Sequence, residues 1–209
     1  MKKYAMVFDA GTGAGRCNLF DMSGRLVSYA YREWEYLKDL SSSNKEAMLF
    51  DAEQFKKILF SLCRKVITQA GISADEIVAV SATSQREGMV WLDRFGKEIY
   101  AAPSVDLRGE EAADILSGKE PFIKEITGLP VSGMFGLARL LWYKKFNEAV
   151  YDRIDTVMMI SDWICYLLCG SKVSEPSVAS SSQLFDIKNG KWSSELLKSV
   201  GLRTDIFPE

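Results

Sequence analysis

The run Asp9-Ala10-Gly11-Thr12-Gly13-Ala14-Gly15-Arg16 constrains this chain more than any other segment. It follows the apolar stretch Tyr4-Ala5-Met6-Val7-Phe8 and precedes Arg16 to Met22, which reads as a second strand. Glycines at 11, 13 and 15 permit positive φ and close backbone approach, so the segment reads as strand, tight turn, strand. That excludes the strand-to-helix passage of a dinucleotide-binding unit, and the lack of a lysine after the glycines excludes a Walker-type loop. Such a turn can present backbone N–H groups and a threonine hydroxyl to a phosphate, while Asp9 holds the hydration shell of Mg2+. The plain alternative is a simple hairpin.

The rest of the chain fits a layered α/β domain. Ser23-Gly24 supplies a turn, and Arg25 to Tyr36 continues as a third antiparallel strand, so the N-terminus is a meander. Lys38 to Glu46 is polar and reads as a surface loop. From Asp51, Phe55, Ile58, Leu59, Leu62, Val66 and Ile67 recur at helical spacing up to a glycine stop at Gly71. Ile77 to Ser81 and Met89 to Leu92 are apolar runs of buried-strand type. Helices are expected over Glu110 to Leu116, Phe122 to Ile126, Phe135 to Phe146, Asp162 to Leu168 and Ser193 to Val200, with one more buried strand at Thr156 to Ile160. A meander followed by alternating helix and strand predicts a mixed sheet with flanking helices, in the order of an actin-like or ribonuclease-H-like half.

Composition narrows the function. With 26 Lys+Arg against 28 Asp+Glu there is no basic field for a phosphate backbone, and no nucleic-acid partner is expected. The first apolar stretch stops at Asp9, too short for a signal-peptide core or a membrane span, so a cytoplasmic protein without a membrane partner is expected. The chain has no histidine, which removes Ser-His-Asp and Cys-His machinery. The four cysteines are scattered, and reduced, packed thiols are expected rather than a zinc site.

Two further segments can carry chemistry. Ser84-Gln85-Arg86-Glu87-Gly88 falls where a core strand should end, the place where α/β sheets bind ligands. There Arg86 can donate to polyol hydroxyls and Glu87 accept from them, or the loop can simply be solvated. Ser104-Val105-Asp106-Leu107-Arg108 offers Asp106 either as a helix cap or as a ligand. Ser161 or Asp162 is a natural cap for the helix that follows, with Trp163 in the core.

Together these blocks resemble the N-terminal domain of the FGGY family of carbohydrate kinases. Val7 to Arg16 is similar to the family's first phosphate motif, Val80 to Glu87 to its substrate loop, and Ser104 to Arg108 to its Asp-x-Arg element. Met159 to Trp163, Tyr166 to Leu168, Gly170, Ala179-Ser180, Asp186-Ile187 and Trp192-Ser193 resemble the segment that closes that domain. The Arg86-Glu87 pair is the form of the glycerol and autoinducer-2 kinase branches, and the motifs are most similar to the latter; the Met-His of xylulose kinases is missing.

The resemblance implies ATP-dependent phosphorylation of a small sugar, polyol or open-chain autoinducer-2-type substrate. In it Asp9 orients Mg2+ through water, Gly11, Thr12 and Gly13 lie along the phosphates of ATP, and Arg16 supports the loop. Gln85, Arg86, Glu87 and Asp106 would hold substrate hydroxyls. Gly15, where the family usually has an apolar residue, is expected to loosen the turn. Residues 1–209 would be the sugar-binding N-terminal domain, with the catalytic Asp and the nucleotide-binding domain falling after Glu209, so no turnover is expected from these residues alone. An apolar face left open would favour self-association, a homodimer included. A non-catalytic sugar sensor, or a phosphatase or ATPase of the same superfold, are the competing readings.

Overall fold

The computed structural model describes residues 3–208. Its first sheet has the order β3-β2-β1-β6, built from β1 (Tyr4–Ala10), β2 (Ala14–Asp21), β3 (Leu26–Glu33) and β6 (Ile77–Ser84). The meander is antiparallel, whereas β1 and β6 run parallel, with Ala10 opposite Ser84. Two-residue strands β4 (Leu37–Lys38) and β5 (Met48–Leu49) pair across the base of the polar segment expected to be loop, which is a loop from Asp39 to Glu46.

Helix α1 (Ala52–Ala70) connects β5 to β6. Asp51 caps its start by accepting from the Gln54 N–H, and Gly71 ends it at φ 63, the left-handed conformation that glycine adopts without steric cost. The buried stripe of Phe55, Ile58, Leu59, Leu62 and Val66 packs on the sheet face formed by Tyr4, Met6, Phe8, Cys17, Leu19 and Ala30. The Cys17 and Cys63 sulfurs meet there at 3.9 Å as buried free thiols.

A second sheet, antiparallel in the order β8-β7-β9, comprises β7 (Met89–Leu92), β8 (Glu98–Ala102) and β9 (Thr156–Met159). It lies between two cores, which is why β7 is apolar on both faces. Met89 and Trp91 join the core of α3 (Gly136–Phe146), while Val90 and Leu92 join that of α1 and α5 (Ile160–Cys169). Helix α2 (Glu120–Thr127), the short α4 (Glu148–Tyr151), α6 (Pro176–Ala179) and α7 (Ser194–Ser199), and the hairpin of β10 (Phe185–Asp186) with β11 (Lys191–Trp192), complete the chain. Arg108–Leu116 winds as a 3-10 helix rather than the expected α-helix.

Two expectations are corrected. The Ile77 to Ser81 strand is not buried: β6 pairs on one side only, and Val78 and Val80 are 50% and 42% exposed. Gly15 lies inside β2, paired with Ala10 and Arg32, rather than in the turn. The Trp34 ring occupies the space its side chain would take, so an added Cβ would lie 2.5 Å from Trp34 Cζ3 and 2.9 Å from Phe8 Cζ. Gly15→Ala is therefore expected to destabilise the fold by about 1–3 kcal/mol through overpacking. Urea denaturation would register this as a lower midpoint with unchanged slope.

Candidate active site

Because β1 and β6 are parallel neighbours, the glycine turn and the Gln85 loop leave the sheet side by side. Within the turn the Gly11 N–H donates to the Ala14 carbonyl at 2.9 Å. Every carbonyl from Ala10 to Gly13 is tied back. The Ala10 oxygen accepts from the Gln85 N–H at 2.8 Å, and the Gly11 oxygen from Gln85 Nε2 at 3.5 Å. The Thr12 oxygen accepts from Trp34 Nε1 at 3.2 Å, and the Gly13 oxygen from the Trp34 N–H at 3.1 Å. Among the described residues neither the Thr12 nor the Gly13 N–H has a protein acceptor. The turn thus offers donors with its acceptors already used, the requirement for holding an anion.

Asp9, Gly11, Gly13, Ala14, Arg16, Tyr31 and Glu33 line a cleft of about 500 Å3 here. The Asp9 carboxylate is half-buried at the end of β1 and has no ion pair or hydrogen bond among the described residues. Arg16 is exposed and sits over the Tyr31 ring, 5.5 Å from its centroid, while the Tyr31 hydroxyl donates to Glu33. No group of three or more Cys, Asp or Glu that could cage a metal occurs among the described residues. A single free carboxylate beside two free N–H groups fits Mg2+ held through water, since that ion keeps most of its waters and needs few protein ligands.

A second cavity, about 710 Å3, is lined by Lys38, Lys45, Glu46, Met48, Glu87, Ser104, Val105, Leu107 and Met134. Glu87 reaches it from a left-handed backbone, φ 61, held from both sides: its N–H donates to Ser181 Oγ at 3.4 Å, and its carbonyl accepts from Arg139 Nη1 at 2.8 Å. Burial pushes the Glu87 carboxyl above the usual range, against the pull of Arg86 and Arg139. Arg139 is itself fully buried, and its Nη2 donates to the Ser104 carbonyl at 3.1 Å, so one guanidinium staples the two walls of the cavity.

The other expected substrate residues stand differently. Arg86 is exposed, makes no ion pair among the described residues and lies outside the lining of this cavity. Gln85 directs its side chain to the protein. Asp106 does not face the cavity, being 0% exposed, and it meets the backbone of the helix that follows through the Arg108 N–H, from which its carboxylate accepts at 3.5 Å. It accepts from the Met48 N–H at 3.0 Å, the Tyr100 hydroxyl at 2.5 Å and Arg108 Nε at 2.8 Å. Arg108, also fully buried, continues to Asp39 and the Tyr143 hydroxyl. Burial and the Asp106 charge hold the Tyr100 phenol well above its ordinary range.

Asp162 lies in the first turn of α5 but is not its cap, which is Met159. It fastens the following loop, accepting from Ser174 Oγ at 2.8 Å and the Glu175 N–H at 3.3 Å. Burial pushes its carboxyl from 3.8 up to about 6 despite these bonds. A raised folded value means that this contribution to stability is complete below the unfolded value and is lost as pH rises through about 6. Asp162→Asn keeps an acceptor for Glu175 and gains a donor for Ser174. Its thermal stability relative to wild type is expected to improve between pH 4 and pH 8, by up to about 3 kcal/mol.

Trp34, Arg139 and Ser181 were missed from the sequence. Arg139 alone left a signal, a lone charge inside the apolar run from Leu137 to Trp142. A further cleft of about 540 Å3, lined by Asp93, Arg94, Asp152, Arg153, Asp155 and Arg203 among others, has most of its charges paired, in Arg153–Asp93, Lys172–Asp155 and Arg203–Asp205.

Residues 4–209 match the FGGY family of carbohydrate kinases, N-terminal domain. The chain is 34% identical over 210 residues to an autoinducer-2 kinase of Salmonella paratyphi B, covering 98% of this chain and 39% of that protein. It is 35% identical over 215 residues to an autoinducer-2 kinase of Escherichia coli, covering 99% and 39%. In fold it is similar to a xylulose kinase from Rhodospirillum rubrum (TM-score 0.86, 20% identity, 99% of this chain and 42% of that one). It is also similar to Plasmodium falciparum glycerol kinase with ADP (TM-score 0.84, 21% identity, 100% and 43%). The chain therefore spans well under half the length of the relatives it matches.

Proposed function

Since the chain belongs to the FGGY family of carbohydrate kinases through its N-terminal domain, we propose that it forms the substrate-binding half of a kinase. That kinase transfers the γ-phosphoryl group of ATP to a hydroxyl of a small polyol or open-chain sugar of the autoinducer-2 type. The observation that carries this reading is the turn with all its carbonyls occupied and two N–H groups free, set beside the cavity that Glu87 enters. A sensor would need the cavity but not the turn.

In this mechanism the N–H groups of Thr12 and Gly13 hold the phosphates, and Arg16 adds positive charge at the cleft. Asp9 would hold Mg2+ through water, and the ion would supply positive charge to neutralise the phosphates. Glu87 accepts from substrate hydroxyls and fixes the sugar, so that the acceptor oxygen lies in line with the phosphoryl group. Ser104 and the apolar lining of Met48, Val105, Leu107 and Met134 shape the cavity around the carbon chain. No residue described here is assigned as the base that takes the hydroxyl proton. The reading places the protein in the cytoplasm, where ATP is supplied; no helix is long and apolar enough to cross a membrane among the described residues.

Amide NMR of this chain tests the phosphate half: millimolar MgADP is expected to move the Thr12 and Gly13 resonances first. ATP-dependent phosphorylation by the protein that carries this domain, against glycerol, xylulose, ribulose, erythritol and the linear autoinducer-2 precursor, tests the other half. Sugar binding with neither nucleotide shifts nor transfer would favour a sensor.

A further inference from the structure

The side chain of Gln85 has no hydrogen-bonding capacity left for a ligand. A primary amide has two acceptor positions on its oxygen and two donor hydrogens on its nitrogen. Here Oε1 accepts from both the N–H and the Oγ of Ser104, each at 2.9 Å. Nε2 donates to the Tyr36 hydroxyl at 2.8 Å and, at 3.5 Å, to the Gly11 carbonyl. The Ser104 N–H fixes which end of the amide is oxygen. The Gln85 main chain adds its bond to the Ala10 carbonyl at 2.8 Å.

One end of this amide therefore holds Ser104, in the wall of the polyol cavity, and the other holds Gly11, in the wall of the phosphate cleft. Its third partner, Tyr36, precedes the β4 strand that brings Lys38 to the same cavity. We infer that Gln85 is a positioning residue that couples the two binding sites, so that setting the phosphate turn also sets the cavity wall at Ser104. This rests on the reading of the turn as a phosphate site. It differs from a role as a sugar ligand because the amide is spent on the protein. A displacement of the Gly11 carbonyl by a bound phosphate pulls on Nε2, and the rigid amide plane carries it to Oε1 and the Ser104 N–H. Such coupling is reciprocal: a polyol that fixes Ser104 favours the phosphate-binding form of the turn.

The test is amide NMR of this chain with MgADP as the only ligand. In the wild type the resonances of Thr12 and Gly13, and with them that of Ser104, are expected to move along one titration curve. In Gln85→Leu, Thr12 and Gly13 still move but Ser104 does not. A second variant guards against a folding failure. Gln85→Glu keeps the acceptor for Ser104 and loses the donor for Gly11. It should leave the Ser104 resonance near its wild-type place while the dissociation constant for MgADP rises about fivefold, as for one lost hydrogen bond. Ser104 shifts that persist in Gln85→Leu, or an unchanged MgADP affinity in Gln85→Glu, overturn the coupling and leave the phosphate site standing. Absence of any movement at Thr12 and Gly13 in the wild type overturns the phosphate reading itself.

Discussion

Replacing Asp106 with alanine is expected to lower stability by about 3–5 kcal/mol, the scale for removing one partner from a buried ion pair. The carboxylate is 0% exposed and lies between two guanidinium groups, Arg108 Nε at 2.8 Å and Arg139 Nε at 3.9 Å. Without it Arg108 keeps Asp39, while Arg139 keeps only neutral carbonyl acceptors. The Met48 N–H and the Tyr100 hydroxyl lose their acceptor at the same time. For a chain of this size the melting temperature should fall by about 10 °C. Asp106→Asn preserves volume and an acceptor but not charge, and should fall between the two. The measurement is a pair of melting curves beside a polyol titration of each variant. Unchanged melting with lost polyol binding would instead make Asp106 the direct ligand that the family resemblance implies.

Glu87→Ala is expected to have the largest effect on function. A charged acceptor of substrate hydroxyls is worth about 1.5–3 kcal/mol per bond, so KM for the polyol should rise about 10- to 100-fold in the protein carrying this domain, with KM for ATP nearly unchanged. Equal effects on both would count against the role. Acidity gives a second check. Because burial raises the Glu87 carboxyl, the ionised acceptor is lost earlier as pH falls than for an ordinary glutamate. Polyol affinity should therefore decline on mild acidification in the wild type. In Glu87→Gln it should be weak and independent of pH over the same range.

The local elements were legible because their signals are local. The helix from Asp51 to Gly71 announces itself by a cap, a period and a glycine, and the turn at Gly11 to Gly13 by glycines between two strand-like runs, although neither glycine takes the left-handed φ that the sequence allows for. The glycine turn and the Glu87 loop were both found for that reason. What stayed hidden depends on who sits beside whom. Met89 to Leu92 reads as a buried strand, but nothing in those four residues says that they separate two cores. Val78 and Val80 have the composition of an interior strand and stand at an edge. Asp106 and Gln85 have the chemistry of ligands, and only their distances to Arg108, Ser104 and Gly11 reveal that the protein already uses them. Trp34 could not be linked to Gly15 from 19 positions away without the register of β2 against β3.

The backbone of Glu87 also carries a cost. At φ 61 a glycine would be the more stable occupant, by about 1 kcal/mol. Arg139 Nη1 on its carbonyl and Ser181 Oγ on its N–H hold Glu87 there against that preference, and the buried Gln183, at φ 63, bears the same kind of cost. The torsion angle is thus a local cost that the contacts around the loop, not the preference of the residue itself, hold in place.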